Sequence, residues 1–167
     1  IDDKKGSATL DMGTQIQNGD NNTKHLKNLI FLEGTCNSPE EYIEMTMKSS
    51  IMKLDIKNIP VEVGKLKKLF FVVGNRPTDD STPVTYRYIR QLDFNENSVT
   101  FNSSKSSLTA FFSFMPDTLN LKKQDIVHVI LSGDEMYQYV FPINNPVNYA
   151  TGKRYTGIVD KFYKFRS

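Results

Sequence analysis

The chain has 167 residues, the length of one domain. Its 21 Lys and Arg against 19 Asp and Glu leave a net charge of +2, which excludes the strong field of a nucleic-acid or polyanion binder. One cysteine, Cys36, excludes an internal disulfide framework and any multi-cysteine metal site, and two histidines, His25 and His128, leave little for metal or general-base chemistry.

Hydrophobic residues make up 38%, with 11 Phe and 8 Tyr, enough for a core, and the plentiful Asn, Ser and Thr point to strands joined by many turns. Residues 1–23 read as a polar lead-in with room for a first edge strand, and 24–167 as a single β-sandwich domain. Asn18-Gly19-Asp20-Asn21-Asn22 is a loop signal. His25 to Leu32 is an apolar run that predicts a buried strand. Ile43, Met45 and Met47 alternate with Glu44 and Thr46. Met52, Leu54 and Ile56 then alternate with Lys53, Asp55 and Lys57, the clearest period-two signal in the chain, which predicts one buried face and one wet face.

Leu66 to Val73 is too apolar at its end for a solvated face. A loop runs from Asn75 to Pro83, followed by strands at Tyr86–Arg90 and Val99–Phe101. Leu108 to Met115 places Ala110, Phe112 and Phe114 on one face. Ile126–Leu131 and Met136–Phe141 flank Ser132-Gly133-Asp134-Glu135, a hairpin loop. Arg154 to Phe165 closes the chain. No window holds helical spacing over three turns, so the pattern predicts an all-β sandwich or barrel. No apolar run approaches the ~20 residues of a membrane span. The polar start, Ile1-Asp2-Asp3-Lys4-Lys5-Gly6, lacks the apolar stretch of a signal peptide and reads as the start of a processed chain.

Candidates for chemistry are few. Cys36 has His25 or His128 as conceivable bases, but its neighbours make a plain turn at a strand end. His128, between Val127 and Val129, is expected on a solvent face. The pairs Asp2-Asp3, Glu40-Glu41 and Asp79-Asp80 lack both the spacing of a calcium loop and the separation of paired catalytic carboxylates. Lys65-Leu66-Lys67-Lys68 and Lys122-Lys123 read as charges that keep strand edges from pairing wrongly. No cofactor, metal or catalytic residue is expected.

The end of the chain is more informative. Tyr155, Gly157 and Val159 alternate with Thr156, Ile158 and Asp160 after a tight turn at Ala150–Gly152. Aromatics interleaved with lysines follow. This segment reads either as a plain final strand with solubilising lysines or as an adhesive strand or edge available for pairing with another chain; as a strand donated to a partner, its candidate partner-binding residues are Ile158, Phe162 and Phe165.

Four ordered stretches resemble the fimbrillin-like family of Bacteroidetes, pilin subunits and surface adhesins. Gln15–Gly19 running into Thr23–Asn28 is similar to the lead into that family's first core strand. Met47–Ile56 is similar to its "H-A-x-S-K-L-x-F-x-I", and Leu66–Val72 stands where an "I-x-x-V-x-L" strand occurs. Phe114-Met115-Pro116, Leu119–Val129, Tyr137-Gln138-Tyr139 and finally Ala150-Thr151-Gly152-Lys153-Arg154-Tyr155-Thr156 resemble its closing pattern, "A-G-K-x-Y" before the last strand.

The resemblance implies a transthyretin-like Greek-key β-sandwich of about seven to ten short strands. It implies a non-enzymatic cell-adhesion or fimbria (pilus) subunit, exported as a lipoprotein to the outer membrane and cell surface. Assembly would be by β-strand donation. Partners would be other fimbrial subunits or a host surface ligand, with no nucleic acid, and with membrane contact only through a lipid anchor removed from or absent in this chain. The first arginine is Arg76, so maturation by cleavage after an N-terminal Arg has no visible site. The alternative expectation is a monomeric surface-anchored module that binds glycan or protein through exposed tyrosines such as Tyr42, Tyr86 and Tyr88.

Overall fold

The computed structural model describes residues 14–29, 32–33, 46–75, 81 and 85–165. It is an all-β sandwich. Eleven strands follow in chain order: β1 Gln15–Gln17, β2 Leu32–Glu33, β3 Thr46–Met47, β4 Ser50–Ile56, β5 Lys68–Asn75, β6 Tyr86–Phe94, β7 Leu108–Phe114, β8 Asp125–Ser132, β9 Met136–Pro142, β10 Arg154–Val159 and β11 Tyr163–Lys164. One sheet has six strands in the order β1-β6-β5-β8-β9-β11, and the facing sheet has three, β10-β4-β7. β2 and β3 form a separate two-stranded pair.

Alternation decides which side chains meet between the sheets. β4 is buried at every second residue, with Met52, Leu54 and Ile56 inward. Ala110, Phe112 and Phe114 of β7 join them from the neighbouring strand. Leu69, Phe71 and Val73 of β5 and Val127, Val129 and Leu131 of β8 answer from the larger sheet. The Phe71 and Phe112 rings meet across the gap, centroids 5.2 Å apart. Each such side chain contributes roughly 1.5–3 kcal/mol by leaving water.

The β8–β9 hairpin requires a glycine at Gly133. A Cβ there would lie 2.1 Å from the Val63 carbonyl oxygen and 2.6 Å from that of Lys65. At the other end of β8, Asp125 accepts from Arg87 at 2.6 Å and from the Lys122 N–H at 2.7 Å. Burial works against its charge, but these partners outweigh burial and hold the carboxyl below its ordinary range. Arg87 also donates to the Asn120 carbonyl, so one guanidinium ties β6 to the approach to β8.

Two expectations change. His25–Leu32 does not form one strand: Lys24–Asn28 is a 3-10 turn, and among the described residues of the run extended backbone begins at Leu32. The Leu26 N–H donates to Thr23 and the Leu29 N–H to Leu26, a three-residue closure that buries Leu26 and turns His25 toward β7. Val99–Phe101 is not a strand but a single bridge, Thr100 to Lys65, with Val99 and Phe101 buried.

The lead-in is woven into both sheets. β1 lies parallel to β6 at the edge of the larger sheet. Its inward side chains, Gln15 and Gln17, reach the outer edge of β7 in the smaller sheet. The Phe111 N–H donates to Gln17 Oε1 at 2.9 Å, and Gln17 Nε2 donates to the Thr109 carbonyl at 2.9 Å. The Ser113 N–H donates to Gln15 Oε1 at 2.9 Å, and Gln15 Nε2 donates back to the Ser113 carbonyl at 2.8 Å. Asp20 takes the Thr109 N–H and pairs with Lys105. His25 Nε2 donates to the Phe111 carbonyl at 2.8 Å. Side chains thus replace a strand along this edge.

Gln17→Ala leaves the Phe111 N–H buried without an acceptor, and we expect a loss of about 1–3 kcal/mol. Ile16→Ala, at a side chain 52% exposed, is expected to stay within about 0.5 kcal/mol. Urea unfolding of the two variants at equal m-value checks the contrast.

Candidate functional site: an open seam beside the last long strand

Three strands do not cover six. At the β7 side the lead-in fills the difference. At the β10 side nothing described does, and a cleft of about 400 Å3 opens between β10 and β9. Its floor is core: Met52, Leu54, Phe71, Val127 and Val129. Its rim is aromatic, with Tyr139 and Phe141 from β9, Tyr149 from the approach to β10 and Tyr155 from β10 itself. Tyr139 and Phe141 lie nearly parallel, 6.2 Å apart and 12° from coplanar.

The backbone beside this cleft is unpaired. β10 runs parallel to β4. The Ile51 N–H donates to the Lys153 carbonyl and the Lys57 N–H to the Val159 carbonyl. The ladder therefore uses odd-numbered residues of β10, which aims the N–H and C=O groups of Arg154, Thr156 and Ile158 away from β4. No described residue pairs with them. Across the cleft, β11 pairs with β9 at Tyr137 and Gln138, and no described strand lies beside the edge from Tyr139 to Pro142.

One residue makes the cleft deep. Tyr155, Gly157 and Val159 face the core side of β10, and the middle one has no side chain. A Cβ at Gly157 would meet Leu54 Cδ2 at 3.1 Å. The start of β10 is held rigidly. The Gly152 N–H donates to the Ser49 carbonyl, and Ser50 donates to the Ala150 carbonyl at 2.6 Å. The Tyr149 and Tyr155 rings meet edge to face at 4.7 Å and both pack on Phe114. Burial, with Tyr155 beside it, pushes the Tyr149 hydroxyl pKa up.

The predicted partner-binding residues separate into three positions. Ile158 is 64% exposed on β10. Phe162 packs against the core beyond the end of β10, and Phe165 follows β11, its N–H donating to the Met136 carbonyl. They do not share one strand face. Tyr86 is exposed, whereas Tyr88, expected to be exposed, is buried edge-on to Phe71 at 6.5 Å. Tyr88 stands opposite buried Val73 in the regular register, on the same inner face as Leu92 and Phe94, and the bulge between Val73 and Gly74 turns Tyr86 to the outer face. Cys36, Tyr42 and the pairs Asp2-Asp3, Glu40-Glu41 and Asp79-Asp80 lie outside the described residues. His128 sits on the outer face of the larger sheet, edge-on to Tyr86. Asp20 of the Asn18–Asn22 loop is committed to Thr109 and Lys105.

Sequence reasoning missed Tyr139, Phe141 and Gly157. The available signal was a glycine at the core-facing position of an alternating strand, which marks close approach of another group. Among the described residues no three His, Cys, Asp or Glu side chains cluster to hold a metal, and no helix is long and apolar enough to cross a membrane. No family model matches the chain, and no curated protein matches it. The likeness to the fimbrillin-like family therefore rests on the ordered motifs quoted above.

His25 gives the closed edge a pH dependence. With Nε2–H donating to Phe111, Nδ1 is buried without a partner. Burial lowers the imidazole pKa, against the raising effect of the Phe111 carbonyl. The unfolded chain then takes up the proton first as pH falls. The contribution of neutral His25 is complete above about pH 6.5 and is lost below it until the folded imidazole itself titrates. We expect Tm to drop on acidification through this window, and to drop less in His25→Gln, whose amide can still donate to Phe111. Thermal melts across the window measure both.

Proposed function

We propose that the protein is a non-enzymatic cell-surface adhesion or fimbrial subunit that assembles by β-strand donation, with the seam beside β10 receiving the strand. The observation that carries this reading is the coincidence of an unpaired backbone edge with an apolar trough opening into the core. An added strand gains main-chain hydrogen bonds from the edge. It gains register from side chains that fill the trough at every second position. Exposed apolar troughs of this kind mark interaction sites in folded proteins. The lining carries no carboxylate, histidine or cysteine, which favours binding over acid–base or nucleophilic chemistry.

On this reading the C-terminal strand is the partner-binding edge. Ile158 stands on it, while Phe162 and Phe165 hold the chain that returns to β9. The partners are other fimbrial subunits or a host surface ligand. The near-even charge fits a protein that does not bind nucleic acid. The location is the cell surface, outer-membrane-associated or fimbrial, with membrane contact through a lipid anchor.

Thr156→Pro tests the proposal directly. It removes an outward N–H at an edge position, where proline is tolerated. Ladders on unboiled SDS gels are expected from the parent chain and are expected to vanish in Thr156→Pro with Tm unchanged, and also on deletion of residues 158–167. The stacked Tyr139–Phe141 pair, with Phe141 48% exposed, favours a second reading as a monomeric glycan- or protein-binding module. That reading predicts no ladder from the parent, retention on a glycan array, and loss of retention in Phe141→Ala.

A further inference from the structure

The seam has a shape that specifies its occupant. The trough is deepest over Gly157, where the missing side chain exposes Leu54, and it is bounded along β10 by Tyr155 on one side and Val159 on the other. An occupant needs a large apolar side chain at its centre and apolar side chains two residues to either side, with polar residues between them. Lys153 and Arg154, both exposed, stand at one end of the edge.

A short segment that lies wholly outside the described residues has this pattern. Ala8, Leu10 and Met12 alternate with Thr9 and Asp11, within the thirteen residues that precede Thr14. The pattern supplies a central Leu and apolar neighbours at the strand spacing. It holds no proline to interrupt an added ladder.

The same segment cannot fill the seam of its own molecule in this way. It joins the fold at β1, the edge of the larger sheet opposite β9. Four strand spacings separate β1 from β9, ~19 Å. Five residues from Gln15 back to Leu10 span at most ~18 Å fully extended. Leu10 of one copy reaches Gly157 only in another.

Resting on the strand-donation reading, we infer that the occupant of the seam is the N-terminal segment of a second copy of this chain, with Leu10 seated over Gly157 and Ala8 and Met12 beside it. Assembly is then head-to-tail. The contact is heterologous and repeats without closing, which is the geometry of a filament rather than of a two-fold dimer. The two ends of the molecule have separate tasks: the lead-in closes its own β7 edge with Gln15 and Gln17, and the residues before it complete the neighbour's β10 edge.

Cross-linking between two full-length chains tests this. Both carry Cys36→Ser. One also carries Thr9→Cys or Asp11→Cys, and the other carries Ile158→Cys, at an exposed side chain on the face where Thr9 and Asp11 would stand. Mixing and mild oxidation are expected to give a disulfide-linked heterodimer with Thr9→Cys or Asp11→Cys at least tenfold above that with Lys5→Cys. Leu10→Asp is expected to abolish ladders that Leu10→Met retains. Ladders without either cross-link overturn the inference and leave strand donation standing with another donor. Absence of both ladders and cross-links overturns both. A chain carrying Asp11→Cys and Ile158→Cys together that closes on itself as a monomer overturns the requirement for a second copy.

Discussion

The sandwich depends on two glutamine side chains acting as a strand. Gln15 and Gln17 sit in β1 of the larger sheet, yet their amides take up the N–H and C=O groups of Phe111, Thr109 and Ser113 at the edge of the smaller one. A carboxamide presents N–H donors and a carbonyl acceptor side by side, as the backbone does, so it can continue a ladder across a corner that the backbone cannot turn. Both side chains are almost fully buried, which raises the cost of any bond left unmade. The six-stranded and three-stranded sheets are thereby held in one relation to each other. Everything on the far side of the sandwich follows from that relation.

With the β7 side closed, the mismatch between six strands and three appears wholly at the β10 side. There the inner face of β8 and β9 extends past the last strand of the smaller sheet. The backbone of Arg154, Thr156 and Ile158 faces the gap with no partner among the described residues. Natural sheets blunt such edges with charge or proline. Here charges stand at the ends, Lys153 and Arg154 before and Lys161 after, while Thr156, Gly157 and Ile158 between them carry none. An edge left uncharged in its middle and deepened by a glycine is suited to recruit a strand, and this is why the functional reading attaches to β10. The aromatic cluster of Tyr149, Tyr155 and Phe114 fixes the start of that strand, so a rigid rather than a yielding edge is offered.

The sequence was legible where burial and alternation coincide. Met52-Lys53-Leu54-Asp55-Ile56 announced a half-buried strand, and Ala110, Phe112 and Phe114 a core face. The Ser132–Glu135 turn announced a hairpin. Each depends only on neighbours two residues away and on local turn chemistry. His25–Leu32 misled because an apolar run of that length fits a strand or a tight turn equally, and the choice was made by contacts with β7, over eighty residues away. Tyr86 and Tyr88 look equivalent in the sequence, two residues apart, but a bulge between Val73 and Gly74 separates them, so Tyr88 faces the core opposite Val73 and Tyr86 faces outward. The C-terminal trio Ile158, Phe162 and Phe165 was placed at a partner edge by sequence, but the structure divides it between that edge and the chain's own return to β9.

By itself the sequence determined that the protein is all-β, a sandwich or a barrel of short strands, which residues form most of its core, and that few groups are available for catalysis. Those properties follow from composition and from period-two patterning, which are local. Only the tertiary structure decided that Gln15 and Gln17 bridge two sheets, that one edge is sealed and the other open, and that Gly157 lies at the bottom of the opening. Such features arise where strands distant in the chain meet. Nothing in the neighbourhood of a glutamine or a glycine states which foreign backbone, or which empty space, it will face.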